Sequence, residues 1–362
     1  MKKMLSLAAM FAVLAYASPA SAEIKFSGDA SLRLRGQFED GEYNGVKDSE
    51  DDLNFAYRIR LKAAADLGSG YFFKAMLTND NLTGGWTTVT DNNTESYNIE
   101  VSNFYFGRMM ENSHYMMGRL PLNSVNNPIF DLALYPFSPV DIPVATFNMD
   151  RIYGLNYGAK IGPGELNTTL IVLDNDVADN TPAEGDGMFN DGYAVHVSYK
   201  ANIGDVTVEP QAVIVLSDGD GADYSNISSN TFGLNVGVPA GDAKLSFSGF
   251  YTICDDGKGS ITGSGAAADV DYSGYLFRVK GEVGPFTAWV DYNQTNDETN
   301  GDDVDVENLF VWAQYNYKVY ESAMGSFSLT PTVRYWALGV DEGSSEYDYS
   351  RLRTELIATV TF

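Results

Sequence analysis

The chain has 362 residues, with 49 acidic against 23 basic side chains and a formal net charge of −26 at neutral pH. That balance argues against nucleic-acid partners, whose phosphates need a basic footprint. The single cysteine, Cys254, forms no internal disulfide framework.

The chain opens with Lys2 and Lys3, runs through apolar residues from Met4 to about Ala17, and reaches the small residues Ala20, Ser21 and Ala22. This is the pattern of a cleaved export signal over residues 1–22, leaving one domain over residues 23–362. Beyond it no stretch of about 18 consecutive apolar residues offers a membrane-spanning helix. An exported chain of this kind is then either a soluble exported protein or a closed barrel.

The first segment places Ile24, Phe26, Ala30, Leu32, Leu34 and Phe38 on one parity, with Lys25, Asp29, Arg33, Arg35 and Gln37 on the other. The next sets Leu53, Phe55, Tyr57, Ile59, Leu61 and Ala63 against Asn54, Arg58, Arg60 and Lys62, and a Gly68-Ser69-Gly70 turn follows. Alternation over some 15 residues exceeds the usual globular strand and suits one that crosses an outer membrane at a tilt. The pattern returns from Tyr71 to Thr78 through to Tyr349 to Phe362, predicting an all-β, antiparallel transmembrane barrel of about 16 strands. In a β-sandwich the same face would be a single apolar wall with almost no charge to break it.

The connections alternate too. Short turns such as Ile161 to Gly164, Pro239 to Asp242 and Val283 to Pro285 take turns with polar stretches. The long class includes Glu39 to Asp52, Asp80 to Ser96, Asp174 to Asp191, Ser217 to Asn230, Asp255 to Asp271, Asn293 to Asp305 and Leu338 to Asp348. Short periplasmic turns and long external loops are the rule for such barrels. The connection from Pro121 to Asp150 differs, holding five of the 12 prolines and the apolar residues Ile129, Phe130, Leu132, Leu134, Phe137 and Phe147. Those side chains need shelter from water, which a barrel interior provides, so residues of about 121–150 are expected to fold into the lumen, the alternative being a latch packed on a neighbouring subunit.

Inward parity locates a basic wall. Arg334, Arg351, Arg353, Arg33, Arg35, Arg58, Arg60, Lys62 and Lys74 fall on strands that become consecutive once the barrel closes. On the opposite parity each cation would cost roughly 2 to 4 kcal/mol in lipid near the midplane. Asp131, Asp141 and Asp150 of the inward connection would face them, and opposed charges of this kind sort permeating polar solutes.

Leu352, Leu356, Ala358, Val360 and Phe362 share one parity and end in a C-terminal aromatic, which resembles the terminal signature of outer-membrane barrels. The run Met117-Gly118-Arg119-Leu120, the long connection after it, and the return at Asp150-Arg151-Ile152-Tyr153-Gly154-Leu155-Asn156-Tyr157 resemble the general bacterial porins. The resemblance implies a constriction loop in the lumen, Arg119 at the pore, a homotrimer in outer-membrane lipid, and passive diffusion of ions and small hydrophilic solutes.

Alternatives of other kinds are a channel dedicated to one sugar or anion, for which Trp289, Trp312 and Trp336 on the lumen parity could stack sugars, and a barrel enzyme or adhesin. With only His114 and His196, no Ser/His/Asp or Cys/His set presents itself, and no cofactor is expected. The acidic loops, notably Asp218-Gly219-Asp220-Gly221 and Asp255-Asp256-Gly257, are candidate holders of divalent cations without the full calcium-loop spacing.

Overall fold

A computed structural model describes residues 24–79, 86–89, 98–122, 127–129, 151–174, 191–217, 224–257, 259–261 and 264–362. Sixteen antiparallel strands run in chain order through these residues. They are β1 (Ile24–Tyr43), β2 (Val46–Gly68), β3 (Tyr71–Thr78), β4 (Glu100–Met109), β5 (Ser113–Pro121), β6 (Arg151–Ile161), β7 (Gly164–Asp174) and β8 (Gly192–Ile203). Then come β9 (Val206–Ser217), β10 (Asn230–Ala240), β11 (Ala243–Asp256), β12 (Val270–Val283), β13 (Phe286–Asp297), β14 (Val304–Tyr315), β15 (Gly325–Asp341) and β16 (Glu346–Thr361). After Asn316, β14 resumes as Tyr317–Ser322, still paired to β15.

Each strand pairs with the next, and β16 pairs back onto β1 from Asp29↔Thr361 to Tyr43↔Tyr347. The sheet is therefore a closed barrel, which satisfies backbone groups that lipid could not. At the seam Gly28 exchanges backbone hydrogen bonds with Phe362 at 2.8 and 3.1 Å. A Cβ on Gly28 would lie 2.5 Å from the Arg60 carbonyl oxygen and 2.7 Å from the Phe362 ring, so only glycine admits the terminal aromatic there.

One face of every long strand is apolar and turned outward. Leu32 is 67% exposed and Phe26 57%, while the alternate residues Asp29, Ser31 and Arg33 are buried. The reading from alternation, lipid outside and polar groups inside, is the arrangement found. Strand β3 ends at Thr78, and Thr87–Thr88 pair with Tyr57 and Ala56 of β2.

Two stretches expected to be external loops are strand. Glu39 to Asp52 is a hairpin paired rung by rung up to Tyr43↔Val46 and closed by a tight Asn44-Gly45 turn with positive φ at both residues. Leu338 to Asp348 is likewise paired to Asp341↔Glu346. Period two in apolar residues fades once a strand rises above the hydrocarbon, because both faces then meet water. Asp255 and Asp256 also lie within β11, on opposite faces of the sheet, and cannot ligate one ion together. Among the described residues no three His, Cys, Asp or Glu side chains converge as a metal site. Residues 1–22 and Asp218 to Gly221 lie outside the described residues.

Candidate functional site

The lumen has two unlike halves. Between β5 and β12 one group of inward side chains is apolar: Leu120, Ile152, Ile171, Ala194, Val213, Val215, Phe250 and Leu276 form one cluster. Its ninth member is Ile129, fully buried and carried by the connection after β5. Two residues earlier, the Asn127 amide donates to Gln211 Oε1 at 2.8 Å, and its oxygen accepts from Gln211 and Asn235, each at 3.0 Å. Gln211 and Asn235 are inward residues of β9 and β10. His196 of β8 also meets Gln211 Oε1, at 2.9 Å. Asn127–Ile129 is thus seated inside the barrel by an amide lock and an apolar socket. Asp131, Asp141 and Asp150 lie outside the described residues.

Below that seat, Lys200, Lys244, Arg278 and Lys280 line a cavity of about 130 Å³ with Pro128, Glu209 and the hydroxyls of Thr207, Ser246 and Ser248. Sequence parity alone could have found these cations.

The other half carries the arginine wall. Strands β15, β16, β1, β2 and β3 are consecutive neighbours, as the basic wall requires. At its centre Glu355 of β16, its side chain fully buried, binds Arg35 Nε at 2.5 Å and Arg334 Nη2 at 3.0 Å, with Arg33 Nε at 3.8 Å. Arg353 Nε donates to Gln37 at 2.5 Å, and Arg60 is paired with Asp29 at 3.0 Å. Three guanidinium groups around one carboxylate offset a desolvation cost that a single partner would not.

Planar aromatic groups extend the cluster sideways. Arg278 lies 5.4 Å from the Trp289 ring, Trp289 stacks on Trp312 at 4.7 Å and 12°, and Arg334 sits 3.6 Å from Trp312. On the far side of Glu355, Trp86 is shared by Arg33 at 4.6 Å and Arg58 at 4.7 Å. The contacts run without a break from β12 to β2. Arg278 is also clamped by both oxygens of Asp291, at 2.5 and 2.6 Å. Arg351 lies over Trp336 at 4.8 Å.

The structure separates the predicted residues by height and by face. All seven arginines of the wall lie on the inward face, but only Arg33, Arg35 and Arg334 gather around Glu355, with Arg353 beside them on Gln37. Arg58 joins them through Trp86, Arg351 lies over Trp336 four residues along β16, and Arg60 is held by Asp29, six residues along β1 from Arg35. Lys62 and Lys74 share that face, but Lys62 is four residues below Arg58, about 13 Å along the strand and toward the short turns. Arg119 is a correction. It pairs with Phe104 and Tyr153, both outward and exposed, whereas Met116, Gly118 and Leu120 face inward. Its guanidinium lies 5.2 Å over Tyr153, two residues from the outer end of β5. There the cost of a cation on the lipid side falls to about 0–1 kcal/mol.

Glu355 shares the parity of Arg351 and Arg353, so its place in the wall was readable but unread. Trp86 was not readable, because it lies in a stretch that breaks the strand pattern. The indoles offered as sugar platforms are buried, and each carries a guanidinium or another indole.

No curated protein sequence matches the chain. Solved structures do match in fold. The outer-membrane channel DcaP of Acinetobacter baumannii aligns over 95% of this chain and 99% of its own, at 14% identity and a TM-score of 0.57. An anion-selective porin from Comamonas acidovorans covers 94% of this chain and 100% of its own, at 13% identity and 0.55. OmpT of Vibrio cholerae covers 95% and 99%, at 11% identity and 0.55. At the level of sequence, the Gram-negative porin family model matches residues 7–319. Together with the closed sixteen-stranded barrel, that match means the chain belongs to the Gram-negative porin family and is an outer-membrane channel.

Proposed function

We propose that this porin passes ions and small hydrophilic solutes by passive diffusion, through the gap between the inward segment and the arginine wall. The observation that carries the reading is the seating of Asn127 and Ile129 on one half of the lumen while the guanidinium cluster occupies the other. In this reading Arg33, Arg35, Arg58, Arg60, Arg334, Arg351 and Arg353 set the ion preference, with Asp131, Asp141 and Asp150 as their acidic counterparts. Lys62 and Lys74 act nearer the periplasmic mouth. Export removes residues 1–22, and the barrel of residues 23–362 works as a homotrimer, as the trimer form of Vibrio cholerae OmpT does.

Replacing Arg33, Arg35, Arg58 and Arg60 together by Gln removes four positive charges from the wall. In planar bilayers under a salt gradient, the reversal potential of that variant should move toward cations at every salt concentration. An unchanged potential would mean that the wall does not line the conducting path. A sugar-dedicated channel fits less well, since the lumen indoles are already covered, and absence of saturable block by sugars would agree with that.

A further inference from the structure

All four tryptophans of the chain stand against arginines of the lumen. Tryptophan in membrane proteins is ordinarily enriched at the water interfaces of the lipid face, where its amphipathic ring is at home. None of the four is used that way here. We propose that Trp86 and Trp312 are positioning residues for ion selection, each holding an arginine guanidinium in one place so that its charge acts as a fixed field on passing anions. The proposal rests on the reading that the arginine wall lines the conducting path.

An unsupported arginine in a water-filled lumen samples many rotamers and spreads its charge over several ångströms. Its guanidinium is flat, with every N–H donor in the plane and a weakly hydrated face on either side. An indole laid against that face is attracted to the cation and leaves the donor edge available. Both halves of this arrangement are present. Arg334 is 3.6 Å from the Trp312 ring while its Nη2 reaches Glu355, and Arg33 is 4.6 Å from Trp86 while its Nε faces the same carboxylate. Glu355 fixes the edges and the indoles fix the faces. Trp312 is in turn stacked on Trp289, whose neighbour Arg278 is clamped by Asp291. The unit is anchored at one end on β12 and at the other on β2, so no arginine within it is free to swing across the pore.

The test uses charge-neutral tryptophan variants of the full chain in planar bilayers, read beside Arg58→Gln and Arg33→Gln. Trp86 precedes the short Thr87–Thr88 pairing, so Trp86→Leu spares the barrel ladder. Trp86→Leu should lower the anion-to-cation permeability ratio by roughly two- to fivefold, the size of one exposed cation–aromatic contact, and Trp86→Phe should restore most of it. Trp312→Leu should act in the same direction, with folding checked by the heat-dependent shift in gel mobility. Should Trp312→Leu fail to fold, Trp86→Leu alone decides. An unchanged ratio in Trp86→Leu, beside a shifted ratio in Arg58→Gln, would show the indole to be filler and overturn the proposal while leaving the arginine reading intact. No shift in Arg58→Gln, Arg33→Gln or Trp86→Leu would sink both.

Discussion

Glu355 and Arg119 show how much a single side chain's facing decides. Glu355→Gln leaves Arg33, Arg35 and Arg334 around a neutral amide, and breaking a buried ion cluster from one side costs about 3 kcal/mol. The denaturation midpoint of the detergent-folded barrel should fall accordingly. The same change adds one net positive charge to the wall, so the reversal potential should move toward anions, opposite in sign to the arginine variants. Arg119→Gln, by contrast, removes a cation that pairs with outward Phe104 and Tyr153, and should leave ion preference as it was. A reversal potential altered in Arg119→Gln would contradict the outward placement. Parity along β5 was open to inspection in the sequence, with Leu120 and Met116 inward. It was the resemblance around Gly118-Arg119 that pointed the other way.

At the scale of elements, the strands that cross lipid were legible because one face of each must be apolar over the whole crossing, as Leu32, Leu34 and Phe38 show on β1. Above the lipid that constraint lapses, and the Glu39 to Asp52 hairpin was hidden by its own hydration. The inward seat of residues 127–129 was legible for the same reason as the strands: Ile129 demands shelter. What no local pattern could give was the partner, since Asn127 meets Gln211 and Asn235, which lie 84 and 108 residues further along the chain. Ile129→Asp would bury an unpaired carboxylate in the socket formed by Leu120, Ile152 and Ile171, so the segment should lift from its seat while the barrel still closes. Single-channel records should then show larger and noisier conductance. Deletion of residues 128–143 should raise conductance and widen the solute cut-off further. If neither variant changes conductance, the segment does not narrow the pore.

For the whole molecule, the two charge populations act over different distances. Carboxylates of the β1–β2 and β15–β16 extensions, including Asp40, Glu42, Asp48 and Asp348, sit at the mouth in open water. Their reach is a Debye length, about 8 Å at physiological salt and about 3 Å at 1 M. The arginine wall lies inside the lumen with Arg33, Arg334 and Arg351 buried, and is screened less. Ion preference should therefore be weakly cationic at low salt and drift to neutral or mildly anionic near 1 M. Reversal potentials measured across that range check it, and a preference that grows more cationic with salt would invert the assignment of the two populations. The same mouth offers a use unrelated to transport. The Asn44-Gly45 turn crowns a fully paired hairpin, and a Cβ added to Gly45 would meet nothing within 4 Å. A short foreign epitope spliced between Asn44 and Gly45 should accordingly be displayed on intact cells and bound by antibody without disturbing insertion of the barrel, making this tip a handle for presenting peptides at a bacterial surface.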